Sequence, residues 1–166
     1  MPEFLPLVDE TGRVIGRALR SQCHGDPALI HPVVHLHVTD ASGRLLLQRR
    51  SAAKDLLPGY WDTAVGGHVS FGESAEQALI RETGEELGID AAGARFLYNY
   101  LWRGRDETEF VRTFLLRNDG PFHIDTEEVA EIRFFNREEI EALVGQGTLT
   151  PNLEEEYRRL RAGGAL

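Results

Sequence analysis

The sequence predicts an α/β fold of the α+β kind, with a mixed sheet sandwiched between helices. Three observations lead there. Short runs in which apolar and polar residues alternate, the period of a half-buried strand, occur in both halves of the chain. One long segment between them has helical spacing, with its own start and stop signals. The order of strands, helix, strands and helices lacks the regular βαβ alternation of a doubly wound parallel sheet.

Taken in order, the opening LPLVDETGRVIGRAL reads as two short strands around the turn Asp9 to Gly12. The stretch from Ser21 to Pro32 is looser. Val33 to Thr39 alternates His35 and His37 with Val34, Leu36 and Val38, so it reads as a strand whose histidines face away from the core. After the turn Asp40 to Gly43, Arg44 to Arg50 is the returning strand. Lys54 to Gly59 is loop, and Trp61 to Val65 is a further strand. A helix follows over Ser74 to Leu87, where Ser74 and Gln77 form a capping box and Gly88 supplies the stop. Phe96 to Trp102 and Phe110 to Leu116 are strands around a charged loop, Arg103 to Glu109. Ile132 to Phe135 is a short strand. Helices close the chain at Arg137 to Val144 and Asn152 to Arg161, the latter introduced by Thr150-Pro151.

Length and composition narrow the function. At 166 residues, with 42% hydrophobic and 27% charged residues, the chain fits one domain over 1–166, with a hairpin extension at about residues 4–20. The net charge of -9 disfavours nucleic acid polymers and anionic membranes, which reward clustered positive charge. Cys23 is the only cysteine, no apolar run is long enough to span a bilayer, and the first residues are acidic where a signal peptide needs bases. A cytoplasmic location is expected.

The segment Gly67 to Ile89, GHVSFGESAEQALIRETGEELGI, carries the chemistry. On a helical wheel Ala75, Leu79, Thr83 and Leu87 form the stripe to be buried, and Glu82, Glu85 and Glu86 gather at its edge. Carboxylates at such spacing repel one another, and near an apolar surface they become costly or take up protons. A hard divalent cation relieves both problems. Taken alone, the acids also fit a solvated face paired to Arg81.

The same segment resembles the Nudix box, G-x5-E-x7-R-E-U-x-E-E-x-G-U with U aliphatic. Gly67, Glu73, Arg81, Glu82, Glu85, Glu86, Gly88 and Ile89 fall on its eight fixed positions, and Thr83 departs from it at the first aliphatic one. The resemblance implies a Nudix-type fold and hydrolysis of a diphosphate with Mg²⁺ or Mn²⁺. It implies that Glu85, Glu86 and the Gly66 carbonyl are metal ligands. Glu82 would be a further ligand, or would orient and deprotonate the attacking water. Arg81 would join this catalytic set through an orienting ion pair with Glu73.

From about Val8 to Arg117 the chain is also similar to isopentenyl diphosphate isomerases and their hydrolase relatives. VDETGRVIG and LLLQRRSAAKDLLPGYWDTAVGGH carry that likeness. It implies a metal set of His24, His31, His68, Glu107 and Glu109, although either glutamate would alternatively complete the Nudix metal site. It implies diphosphate binding by Arg50 and Lys54, the latter the only lysine in the chain. Trp61 matches a pocket aromatic there and equally suits a core. Trp102, Arg103 and Arg105 fit an ordinary strand end and loop better than a substrate contact. The isomerases need a cysteine just before their Gly-His pair, and Gly66 stands at that place.

The expectation is therefore a metal-dependent pyrophosphohydrolase acting on a small diphosphate, such as a nucleoside diphosphate derivative. The alternatives are isomerase-like activity and a non-catalytic nucleotide sensor. A homodimer is a possible assembly, since dimers are common among such proteins.

Overall fold

A computed structural model describes residues 1–166. The chain runs β1 (Phe4–Val8), β2 (Val14–Leu19), α1 (Arg20–Cys23), β3 (Ile30–Thr39), β4 (Leu45–Arg50), β5 (Trp61–Thr63), β6 (Val65–His68), α2 (Ala75–Leu87), β7 (Arg95–Arg103), β8 (Thr108–Arg117), β9 (Val129–Phe135), α3 (Arg137–Leu143) and α4 (Pro151–Ala162). No helix is long and apolar enough to cross a membrane.

β1 and β2 form a separate hairpin, and the other strands form one seven-stranded sheet around β3. β3 pairs in parallel with β8, from Ile30 opposite Thr108 to Thr39 opposite Arg117. The remaining pairings are antiparallel, so the sheet is mixed. The segment read as one strand from Trp61 to Val65 is two. β5 pairs with β4, whereas β6, one residue later, crosses to β3 and runs on through Gly66-Gly67 to His68. Two glycines argue against a strand when read locally. Here the neighbouring backbone supplies the pairing that their side chains do not.

Both faces of the sheet are covered. Along β4, Leu46 joins a core beneath α2, while Leu45 and Leu47 join a second core beneath α3 and α4. The first core takes Leu79 and Leu87 from α2 and Val34, Leu36 and Val38 from β3. Burying each such leucine contributes about 1.5–3 kcal/mol. The ends of α2 follow the sequence. Ser74 Oγ accepts from the Gln77 amide at 3.1 Å, Gln77 Oε1 accepts from the Ser74 amide at 2.9 Å, and Gly88 closes the helix at a φ of 66°.

One expectation is overturned. His35 and His37 do not face away from the core: His37 is fully buried and His35 nearly so. The alternation along β3 is as read, but α4 covers the face opposite α2. Glu156 of α4 is fully buried against both rings, with its carboxylate 2.5 Å from His35 Nδ1 and 3.1 Å from His37 Nε2. Smaller differences are the single turn α1 within the stretch read as loose, and an earlier start for β9. Neither segment is long enough to show a period.

Candidate functional site

β3, β6, the start of β8 and one side of α2 surround an acidic cleft that also reaches the loop after β4. Pairing register assembles it. His31 lies opposite Glu109 across the parallel β3–β8 pair, and β6 runs beside β3 with Val33 opposite His68. Glu82, Glu85 and Glu86 of α2 face the same cleft. The structure thus gathers every residue expected at the site except His31 into its lining, and His31 lies directly behind it against Glu107.

Glu86 accepts a hydrogen bond from the Gly66 amide at 3.1 Å. Burial, reinforced by the nearby Glu82 charge, lifts its carboxyl to about 8. Burial also raises Glu82, against the opposing pull of Arg81. Glu85 is largely exposed and lies 3.7 Å from Arg81. Arg81 grips Glu73 through two bonds of 2.9 Å, donates to Glu82 at 2.8 Å and reaches the His68 carbonyl at 3.1 Å. The Arg81 bond holds the Glu73 carboxyl below its ordinary range. A fork tied at three points fixes α2 against β6.

Gly67 shows how tightly these parts meet. A Cβ built there would stand well inside contact distance of the Glu82 carboxyl carbon, so only glycine at this position leaves the Glu82 carboxyl where it is. A carboxyl raised by burial, a backbone drawn close to it and two glycines beside it suit a hard cation bound through oxygen. The residues present therefore fit the divalent metal that the sequence implies.

A second cluster adjoins the first. His24, His31 and His68 bring ring nitrogens within 4.8 Å of one another, as do His31, Glu107 and Glu109 through their ligand atoms. His24 Nε2 is 3.0 Å from His68 Nε2 and 3.5 Å from a Glu107 oxygen. Neither ring nitrogen of His31 has a hydrogen-bond partner, although both are buried. Burial, with the His24 charge adding to it, lowers the His31 imidazole to about 4. Burial likewise keeps His68 well below its ordinary value, and burial with the Glu107 charge raises Glu109 to about 7. Neutral imidazoles beside carboxylates form a donor set of the kind that Mn²⁺ or Zn²⁺ accepts.

The basic residues lie across the cleft. Arg50 donates to Asp62 at 3.2 Å and to the Leu56 carbonyl at 3.0 Å, and Lys54 pairs with Glu128. Trp61 is half-buried and meets Phe135 edge to face at 4.8 Å between ring centres, which makes it part of the second core. Trp102 packs on Val33, Tyr100 and Val111; Arg103 pairs with Glu10; Arg105 is 93% exposed. None of these three lines the cleft. Cys23 is fully buried among Leu5 and Ala18 of the hairpin core, so it offers the cleft no thiol.

Sequence reasoning missed Asp62, Glu128 and His35 as cleft residues. Asp62 had a usable signal, being a carboxylate inside a short strand segment between Trp61 and Thr63. Glu128 had none, because its place beside Lys54 depends on the long return to β9.

Comparisons with known proteins agree with this geometry. The family model described as NUDIX domain matches residues 29–159. An uncharacterised Nudix hydrolase of Streptomyces coelicolor is 35% identical over 162 residues, which is 96% of this chain and 89% of that protein. A Nocardia farcinica protein named isopentenyl-diphosphate Delta-isomerase is 35% identical over 142 residues, 82% of this chain and 81% of its own. A crystal structure of a Deinococcus radiodurans protein superposes with a TM-score of 0.83 at 29% identity, covering 95% of this chain and 98% of that one. With the box residues assembled on α2 and β6 and the family model covering most of its length, the chain belongs to the Nudix hydrolase family, whose members act on diphosphate-containing substrates.

Proposed function

We propose that this protein is a Mg²⁺- or Mn²⁺-dependent pyrophosphohydrolase that cleaves a diphosphate linkage in a nucleoside diphosphate derivative or a related small molecule. The observation that carries this reading is Glu86. A half-buried carboxyl raised to about 8 beside Glu82 and the Gly66 backbone is a poor arrangement for the protein alone and a good one around a cation. Glu85, Glu86 and the Gly66 carbonyl would hold the metal, with Glu82 as a further ligand or the group that orients and deprotonates water. When bound, the metal neutralises diphosphate charge and acidifies a water. Arg81, tied to Glu73, holds Glu82 in place. Arg50 and Lys54 supply the cationic wall for the diphosphate, exchanging Asp62 and Glu128 for phosphate oxygens.

The test is incubation with Mg²⁺ or Mn²⁺ and a panel of nucleoside triphosphates, nucleoside diphosphate sugars, dinucleotides and isopentenyl diphosphate, with products separated by chromatography. Cleavage of a phosphoanhydride that stops on chelation is expected. Dimethylallyl diphosphate without cleavage would replace the hydrolase reading by an isomerase one. That outcome is not expected, because the single thiol is shut in the hairpin core. Gly67→Ala is expected to push the Glu82 carboxyl aside and lower kcat about a hundredfold on the panel compound that turns over. Circular dichroism of the variant should remain that of the parent.

A second cation is proposed at His24, His31, His68, Glu107 and Glu109, on the strength of the two unpartnered ring nitrogens of His31. Equilibrium dialysis with Mn²⁺ is expected to show two classes of site. His31→Ala should abolish one class and leave the Glu86 class. Two intact classes in that variant would remove this proposal.

A further inference from the structure

The buried pair of His35 and Glu156 belongs to no part of the mechanism above. His35 lines the cleft, whereas Glu156 is fully buried behind it on α4. Three further groups converge on the Glu156 carboxylate: His37 Nε2 at 3.1 Å, the Tyr100 hydroxyl at 2.7 Å and the Thr113 hydroxyl at 3.5 Å. A carboxylate so fully engaged fixes the His35 ring from its Nδ1 side, at 2.5 Å. The other edge of the ring runs along Gly66. A Cβ at that position would stand 3.3 Å from His35 Cδ2 and 3.4 Å from Nε2. Glycine at residue 66 therefore leaves the Nε2 edge open to the cleft, and Nε2 makes no hydrogen bond within the protein.

The arginines and the lysine of the cleft are engaged through the groups that would meet a ligand. Arg81 is bound to Glu73 and Glu82, Arg50 to Asp62, Lys54 to Glu128 and Arg20 to Glu3. His35 differs, because its carboxylate partner lies on the far side. It is a ring anchored from behind, with its outer nitrogen left over, in a cleft whose other near groups include the acids Asp62 and Glu109.

We infer that His35 is a substrate-binding residue, donating Nε2–H to an oxygen of the diphosphate, and that Glu156 is its positioning residue, reaching through the sheet from α4. The inference rests on the reading of the cleft as a diphosphate site. It also explains the placement of a buried carboxylate on the C-terminal helix, where a merely apolar contact would have packed as well.

Two variants separate binding from support. In His35→Asn the amide nitrogen stands near the place of Nδ1, so the bond to Glu156 is kept and the Nε2 donor is lost. In His35→Gln the amide nitrogen stands near the place of Nε2, so the donor is kept and Glu156 loses its partner. The probe is methylenediphosphonate with Mg²⁺, measured by titration calorimetry, alongside urea unfolding of each protein. His35→Asn is expected to unfold near the parent yet bind the probe about 10- to 100-fold more weakly, the worth of a hydrogen bond to a charged group. The same factor should appear in KM rather than kcat. His35→Gln should lose stability and keep more of the binding, and Glu156→Gln should weaken both. In the parent protein labelled with ¹⁵N-histidine, the His35 Nε2 resonance should move when the probe is added, a readout that needs no variant to fold.

Parent-like binding by His35→Asn, or an unmoved Nε2 resonance while the parent binds the probe, would reduce the pair to a structural pin. A parent that neither binds the probe nor cleaves any panel compound would overturn the diphosphate site and this inference with it. Cleavage by the parent with an unchanged KM in His35→Asn would overturn the inference alone.

Discussion

Glu86→Gln is expected to abolish phosphoanhydride cleavage, by about a thousandfold or more in kcat, and at the same time to make the metal-free protein more stable. The two effects have one cause. In the folded chain burial raises the Glu86 carboxyl from its ordinary 4.5 to about 8. Between these values the folded state holds a proton that the unfolded state releases. Stability from this group is therefore intact below pH 4.5 and is lost as pH rises toward about 8. Glutamine has nothing to ionise, so the variant should lose less stability over that window, with the largest gain over the parent near pH 8. Mg²⁺ should raise the melting temperature of the parent, because a ligand that binds only the folded state stabilises it by mass action, and should do so much less in the variant. Thermal melts at pH 5 and pH 8, with and without Mg²⁺, check this. Equal melting of the two proteins at pH 8 would mean that the Glu86 carboxyl carries no unfavourable charge in the fold, and the main argument for a metal there would fail.

Glu156→Ala is expected to be the most damaging single change to stability, at about 3–5 kcal/mol. It leaves His37 and the Tyr100 hydroxyl without their acceptor in a region closed to water, and takes from His35 the partner that anchors it. Burial by itself would raise the Glu156 carboxyl. The His35 charge and hydrogen bond override it and hold the group well below its ordinary range. Burial likewise pulls His35 down, but Glu156 raises it to about 9. The signs follow. The depressed carboxyl stabilises the fold above pH 4.5 and fails as acid protonates it. The raised imidazole stabilises the fold fully below 6.5 and fails as pH climbs to about 9. The pair is therefore strongest between pH 4.5 and 6.5, and its loss on the alkaline side adds to that of Glu86. Urea unfolding in EDTA from pH 6.5 up to about 9 should show a steep alkaline fall in the parent and a shallower one in Glu156→Ala. A drop well under 1 kcal/mol in that variant would show that the network is replaceable by water and packing.

The sequence by itself determined the elements whose signals are local. Ser74, Gln77 and Gly88 mark the ends of α2 because capping chemistry acts within one turn, and the spacing of Glu82, Glu85 and Glu86 places all three on one side of that helix whatever surrounds it. Thr150 and Pro151 start α4 for the same local reason. The likeness of residues 67–89 to the Nudix box located the acids and the Arg81–Glu73 pair, since fixed spacing on one helix and its lead-in loop survives without knowledge of the sheet.

What only the tertiary structure decided depends on pairing between distant segments. Gly66-Gly67 is a strand because β3 offers it hydrogen bonds, and Glu109 meets His31 because β3 and β8 run parallel in a register that no local pattern encodes. Trp61 became core and not cleft through Phe135, 74 positions later in the chain. The histidines of β3 show the limit most clearly. Their alternation was legible, but alternation gives two faces without saying what covers each. Glu156 lies 121 residues beyond His35, and only the docking of α4 turned a strand face that looked destined for water into a buried, charged support for the cleft.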